Sequence, residues 1–252
     1  MEPPSYLVDH QNVESSNLAV SATVLKYSPI TLDSIISMFN RIKAMPYYRN
    51  YQAASGAAHN IKNHEDALED IFTSFGLQKA EKLPRAEIDA IIKSNDATNK
   101  LPNGSFISQP RGKNNNPDFI IKPADGIVLA VEAKSKKGHK PEYNSGGIHS
   151  DYIYVFCSDK DDATTIYKGS DIRTEEQQTL IREHTERQRE EDERFNRRLR
   201  ELDSNSRGVQ YYTRPMITQK GKSVTNYFTH ENRKRDEQRV FEYIKMKYNK
   251  VD

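Results

Sequence analysis

The chain is poor in the residues that open several functional classes. It holds one cysteine, Cys157, in 252 residues. An intrachain disulfide and a cysteine metal cluster are therefore excluded, and a reducing, cytoplasmic compartment is expected. No apolar run approaches the roughly 18 residues needed to cross a bilayer. The opening residues, MEPPSYLVDHQ, lack a basic segment followed by an apolar run. Neither a membrane span nor a secretory leader is expected. The seven histidines are scattered without metal-ligand spacing, which argues against a zinc site. There is no P-loop to serve a motor and no G-x-S-x-G turn to present a nucleophilic serine.

What is present is charge. Charged residues make up 29% of the chain and hydrophobic residues 35%, yet the formal net charge is only +2. That balance supplies one core with polar material left over for arms, loops or a solvated helix, and by itself it implies no partner. Residues 1–27 show little periodicity. Leu32, Ile35, Ile36, Phe39 and Ile42 share one helical face behind Thr31, a capping residue. A second helix is predicted over 63–75, with Ala67, Leu68, Ile71, Phe72 and Phe75 as its stripe and Gly76 as terminator. A third follows Pro84, which suits a first helical turn, and carries Ile88, Ile91 and Ile92. Residues 94–116 read as loop with one short strand near Phe106 and Ile107, and strands are predicted over 152–157 and 164–167.

From Thr174 a strong helix begins, with Thr174 and Gln177 as a capping box. Between Ile181 and Phe195 it has no apolar residue. Such a helix is solvated, bridging or laid along a charged partner. Pairs such as Glu183–Arg187 and Glu190–Arg194 are expected to brace it. Too few apolar heptad positions exist for a coiled coil. A strand is predicted from Gly208 (GVQYYTRPMITQ), then a basic helix over 233–248 with Val240, Phe241, Ile244 and Tyr248 as its apolar positions. No repeat or low-complexity linker divides the chain. The reading is an N-terminal arm and helical segment over 1–62, a core over 63–170, and added elements over 171–252.

The chemistry concentrates between Asn114 and Gly138. Pro117 to Ile121 is one β run and Ile127 to Lys134 the next, joined by the turn Pro123-Ala124-Asp125-Gly126. A three-residue loop sets Asp118 opposite Glu132, and a two-residue loop sets it opposite Val131. Either register brings the two carboxylates close. Glu132 and Lys134 share a face, being two apart in a strand. Adjacent carboxylates disfavour each other's ionisation, and a divalent cation removes that cost. Oxygen donors of this kind suit Mg²⁺, with the backbone carbonyl of Ala133 as a further oxygen. The ion would activate a water and stabilise charge on a phosphate. Lys134 is placed to position or deprotonate that water, or to neutralise the developing charge.

Pro117-Asp118, the hairpin, and Glu132-Ala133-Lys134 after an apolar run resemble the PD-(D/E)xK nuclease signature. The resemblance covers about 63–168. It implies an α/β fold, a restriction-endonuclease-like mixed central β-sheet flanked by helices, with additional helical elements N- and C-terminal to the core. It also implies Asp118 and Glu132 as metal ligands, Lys134 as the catalytic lysine and Mg²⁺ as cofactor. Many members add an acidic residue on a helix before the hairpin. Glu65 is the preferred candidate for that position and Glu69, one turn on, the alternative.

Within the superfamily, the size, the missing motor motif and the long additions favour a type II restriction endonuclease. It would cut double-stranded DNA to leave 5′-phosphate ends. A homodimer is expected for a palindromic site, with a cognate methyltransferase in the same system. Candidate DNA contacts are Arg111, Lys113 and Asn114 before the site, and Lys136, Lys137, Lys140 and Asn144 after it. The basic residues Arg214, Lys220, Lys222, Arg233, Lys234 and Arg235, interleaved with Tyr211, Tyr212 and Tyr227, form a candidate reading face. The alternatives are a repair or recombination nuclease acting on structured DNA and a non-catalytic binding module.

Overall fold

The computed structural model describes residues 28–52, 61–97, 100–113, 115–144, 147–219 and 226–250. Its elements in chain order are α1 (Leu32–Lys43), α2 (His64–Ser74), β1 (Gln78–Lys79), α3 (Arg85–Ser94), β2 (Ser105–Ser108), β3 (Phe119–Lys122), β4 (Leu129–Lys136), β5 (Tyr143–Asn144), β6 (Ile153–Ser158), β7 (Ala163–Lys168), α4 (Glu175–Glu201), β8 (Met216–Ile217) and α5 (Arg233–Tyr248). Six strands form one mixed sheet in the order β1-β2-β3-β4-β6-β7. The β1–β2 and β4–β6 pairs are parallel and the others antiparallel. β5 and β8 make a separate antiparallel pair. The chain is thus α/β, a mixed sheet flanked by helices. No helix among the described residues is long and apolar enough to cross a membrane.

Both faces of the sheet are covered, which explains the unbroken apolar runs in its central strands. On one face α1, α2 and α5 pack against alternate residues of β3, β4 and β6, including Phe119, Ile121, Leu129, Val131, Ile153 and Val155. Phe72 of α2 meets Phe106 and Phe119 edge-on, with ring centroids 5.3 and 5.1 Å apart. On the other face α3 covers Ile107, Ile120 and Val128, and an aromatic cluster of Tyr143, Tyr154, Phe156 and Tyr167 lies beside it. Cys157 is buried and free, and burial pushes its thiol up to about 11, so it acts as a packed core residue.

Local signals account for the helix ends. Thr31 caps α1 by accepting the Ser34 N–H. Asn63 and Asp66 form a reciprocal capping box at α2, and Gly76 leaves that helix at φ +89°. Pro84 stands one residue outside the expected first turn of α3, as its N-cap. Thr174 and Gln177 form the predicted capping box of α4. α4 has no buried residue, but its bracing differs from expectation: Arg194 pairs with Glu191, three residues before it, rather than with Glu190.

The strand predicted from Gly208 is corrected. Only Met216–Ile217 is strand, and 208–215 runs back along α4 without a sheet partner. Asn196 on the helix takes both the N–H and the carbonyl of Tyr211, so side chains replace the missing ladder. β1 was not anticipated, because two exposed polar residues carry no strand pattern.

Candidate active site

The site is built where β3 and β4 part. The ladder pairs Phe119 with Val131, Ile120 with Ala130 and Ile121 with Leu129. One step further in that register sets Asp118 opposite Glu132, the arrangement of the three-residue loop. β3 has ended there, while β4 continues to Lys136 beside β6 alone. The Ala133 N–H, left without a strand partner on that side, donates to Asp118 Oδ2 at 2.8 Å. A strand residue points its N–H and C=O to the same edge, so the Ala133 carbonyl also faces the Asp118 side. Asp118 is anchored from behind, since its own carbonyl accepts the Gln109 N–H at 2.6 Å.

Glu132 and Lys134 lie on one face of β4 as their spacing requires. Lys134 Nζ donates to Glu132 Oε1 at 2.5 Å. Glu132 Oε2 is buried and has no hydrogen-bond partner among the described residues. A buried carboxylate oxygen left unpaired is costly, and a bound cation is one way to satisfy it. Burial, then the charge of Glu132, pushes Asp118 up to about 7. Burial also raises Glu132, against the pull of Lys134.

These groups open into a cleft of about 660 Å³. Glu65, in the first turn of α2, lines it and is raised by burial, with Asp118 adding to the shift and Lys134 opposing it. Glu69 also lines the cleft, but Lys79 and Ser108 already bind its carboxylate, at 2.8 and 2.5 Å. Glu65 is therefore the helix carboxylate electrostatically coupled to Asp118. Among the described residues no group of three or more His, Cys, Asp or Glu side chains is arranged to hold a metal. The donor set is two carboxylates and a carbonyl. That set fits Mg²⁺, which keeps several waters and needs one or two carboxylates, and fits poorly a metal wanting a full protein cage.

The expected DNA contacts divide. Lys113, Lys136 and Asn144 line the cleft, Lys136 being paired with Glu142. Asn144 belongs to β5 rather than a loop. Asn114 lies outside the described residues, as do Lys220 and Lys222. The Arg111 guanidinium is held by Asp89 of α3 at 2.7 Å and by the Asn116 carbonyl, and it does not line the cleft. Lys140 instead donates to the Gln219 carbonyl at 2.7 Å, and Lys137 is exposed beyond the cleft. Arg233, half-buried, pairs with Glu237 and Arg235 pairs with Asp236, while Arg214 lines the cleft. Tyr227 is half-buried against the aromatic cluster and bonded to Tyr143, whereas Tyr211 and Tyr212 are exposed.

Several cleft residues escaped the sequence reading, Asp66, Ser135 and Glu142 among them. Lys82, exposed on the approach to α3, and Gln109, held at φ +48°, both line the cleft. A left-handed backbone at a non-glycine residue is a mark of constrained sites, but nothing in the local sequence announces it. No protein-family model, curated protein or solved structure matches the chain.

Proposed function

We propose that this chain is a Mg²⁺-dependent nuclease with a restriction-endonuclease-like core, acting as a type II restriction endonuclease on double-stranded DNA. The observation that carries this reading is the meeting of Asp118, Glu132 and Lys134 at the parting of β3 and β4, with the unpartnered Glu132 Oε2 beside them.

Asp118, Glu132 and the Ala133 carbonyl would hold the ion. When bound, Mg²⁺ supplies an activated water and neutralises charge on the phosphate under attack. The protein does the rest. Asp118 is fixed by the Ala133 N–H and by its own backbone. Glu132 is held rigid by burial in a two-sided sheet. Lys134 sits where it can orient a water or meet negative charge on the phosphate. Lys82, Lys113, Lys136 and Arg214 surround the buried carboxylates with cations suited to a phosphate backbone.

The test is incubation of purified protein with unmethylated phage DNA, in Mg²⁺ or in EDTA. Discrete Mg²⁺-dependent fragments are expected. Asp118→Ala and Lys134→Ala should each lose at least about 100-fold in rate. Cleavage confined to junctions or flaps would point to a repair nuclease instead, and unchanged cleavage by Asp118→Ala would overturn the site assignment.

A further inference from the structure

α4 runs for 27 residues with none buried, and side-chain hydrogen bonds hold a return segment along it. Its charges are segregated. Carboxylates dominate from Glu175 to Glu193, whereas every charged residue from Arg194 to Arg200 is an arginine. Arg197, Arg198, Arg200 and Arg207 are exposed and enter no ion pair among the described residues.

The exposed aromatic surface gathers at the same end. Phe195 and Tyr211 meet edge-on with centroids 5.5 Å apart, and Tyr212 is 78% exposed. The segment that carries the tyrosines is fixed along its length. Asp203 accepts the N–H groups of Arg207 and Gly208. Asn196 clamps Tyr211, and Asp192 accepts both the N–H and the hydroxyl of Thr213. The next residue, Arg214, lines the catalytic cleft. The arm is thus continuous with the cleft, and its arginine turn begins beside the point of attachment. From Asp192 to Arg200 the helix advances roughly 12 Å, or three to four base pairs at about 3.4 Å each.

We propose that α4 and the segment 208–214 form a clasp for double-stranded DNA. The arginine turn holds phosphates flanking the cleft, and Tyr212 packs against the sugar–base edge beside them. Arginine for phosphate and tyrosine for an apolar base or sugar face is the pairing such a partner rewards. The proposal rests on the reading of the cleft as a DNA site.

Binding is measured by fluorescence anisotropy in EDTA, where no cleavage occurs. Two duplexes are used, one spanning only the cleft and one longer by a helical turn on each side. Full-length wild type is compared with R197Q/R198Q/R200Q/R207Q and with Tyr212→Ser, all at exposed positions. For the long duplex the quadruple variant should bind ten- to a hundredfold more weakly, and its log–log salt slope should shrink by about 0.9 for each phosphate it no longer neutralises. Tyr212→Ser should weaken the long duplex with the salt slope unchanged. Affinity for the short duplex should be preserved in both variants. Equal binding of the long duplex by wild type and the quadruple variant overturns the clasp while leaving the cleft reading intact. A variant that changes from dimer to monomer on gel filtration, and loses both duplexes alike, would make the arm a subunit interface. A wild-type protein that binds neither duplex removes both readings.

Discussion

Asp118 is the residue on which the site turns. Without a cation it is a half-buried acid beside a buried one, and desolvation and the Glu132 charge push it up to about 7. Asp118→Asn keeps an oxygen to accept the Ala133 N–H but removes the charge. In EDTA at pH 8 that variant should be more stable than wild type, by about 1–2 kcal/mol, and inactive. Added Mg²⁺ should raise the melting temperature of wild type and leave the variant unmoved. Thermal denaturation with and without the ion decides it, and an Asn variant that melts lower refutes the strain argument. The meeting of Asp118, Glu132 and Lys134 was legible in the sequence because strand spacing puts Glu132 and Lys134 on one face and either turn length brings Asp118 alongside; the register itself came from the ladder. The preference for Glu65 over Glu69 had no such ground in the sequence, since what separates them is the hold of Lys79 and Ser108 on Glu69, the latter 39 residues away. Nor was the capture of Arg111 by Asp89 legible there, a pairing that only the packing of α3 creates.

At the scale of elements, α5 is tied to the sheet through one carboxylate. Glu237 is buried and accepts from Arg233 at 2.8 Å and from the Thr165 hydroxyl of β7 at 2.9 Å, while Lys43 at the end of α1 lies 3.1 Å from its other oxygen. Glu237→Ala would remove the carboxylate that Lys43 and Arg233 share, leaving Arg233 the Phe228 and Thr164 carbonyls. Because both cations stay partly solvated, the loss should fall near 2–3 kcal/mol, below the cost of breaking a wholly buried pair. Urea unfolding of that variant beside Arg235→Ala, an exposed control, measures it, and a difference under about 0.5 kcal/mol would deny the tie. Most elements were legible: the helices by their apolar stripes and caps, the hairpin and β6–β7 by apolar runs between turns. What the pattern cannot state is adjacency. The parallel pairing of β4 with β6, and the return of 208–215 along α4, arise from long-range packing and side-chain hydrogen bonds that leave no period in the sequence.

At the scale of the whole molecule, His64 and Asp118 act in opposite directions on the pH dependence of the Mg²⁺-free protein. His64 is fully buried, both ring nitrogens lack partners among the described residues, and burial pushes it from 6.5 down to about 3. Below pH 6.5 the unfolded chain takes up this proton and the folded one does not. The stability it contributes is complete above 6.5 and drains as pH falls, by on the order of 3 kcal/mol at pH 4. Asp118 runs the other way. Its ordinary value is 3.8 and its folded one about 7, so in that window the folded state holds the extra proton. Stability from this group is greatest below pH 4 and falls as pH rises towards 7. The two oppose one another, and Glu65 and Glu132, also raised, act with Asp118, so wild type should show a flatter profile from pH 4 to 7 than a variant that lacks either side of the balance. Each substitution should uncover the other group. His64→Phe, which keeps a ring beside Tyr48, should lose stability as pH rises. Asp118→Asn should lose it as pH falls. Urea midpoints in EDTA across that range test the pair, and two variants sloping in the same direction would show that these groups do not govern the balance.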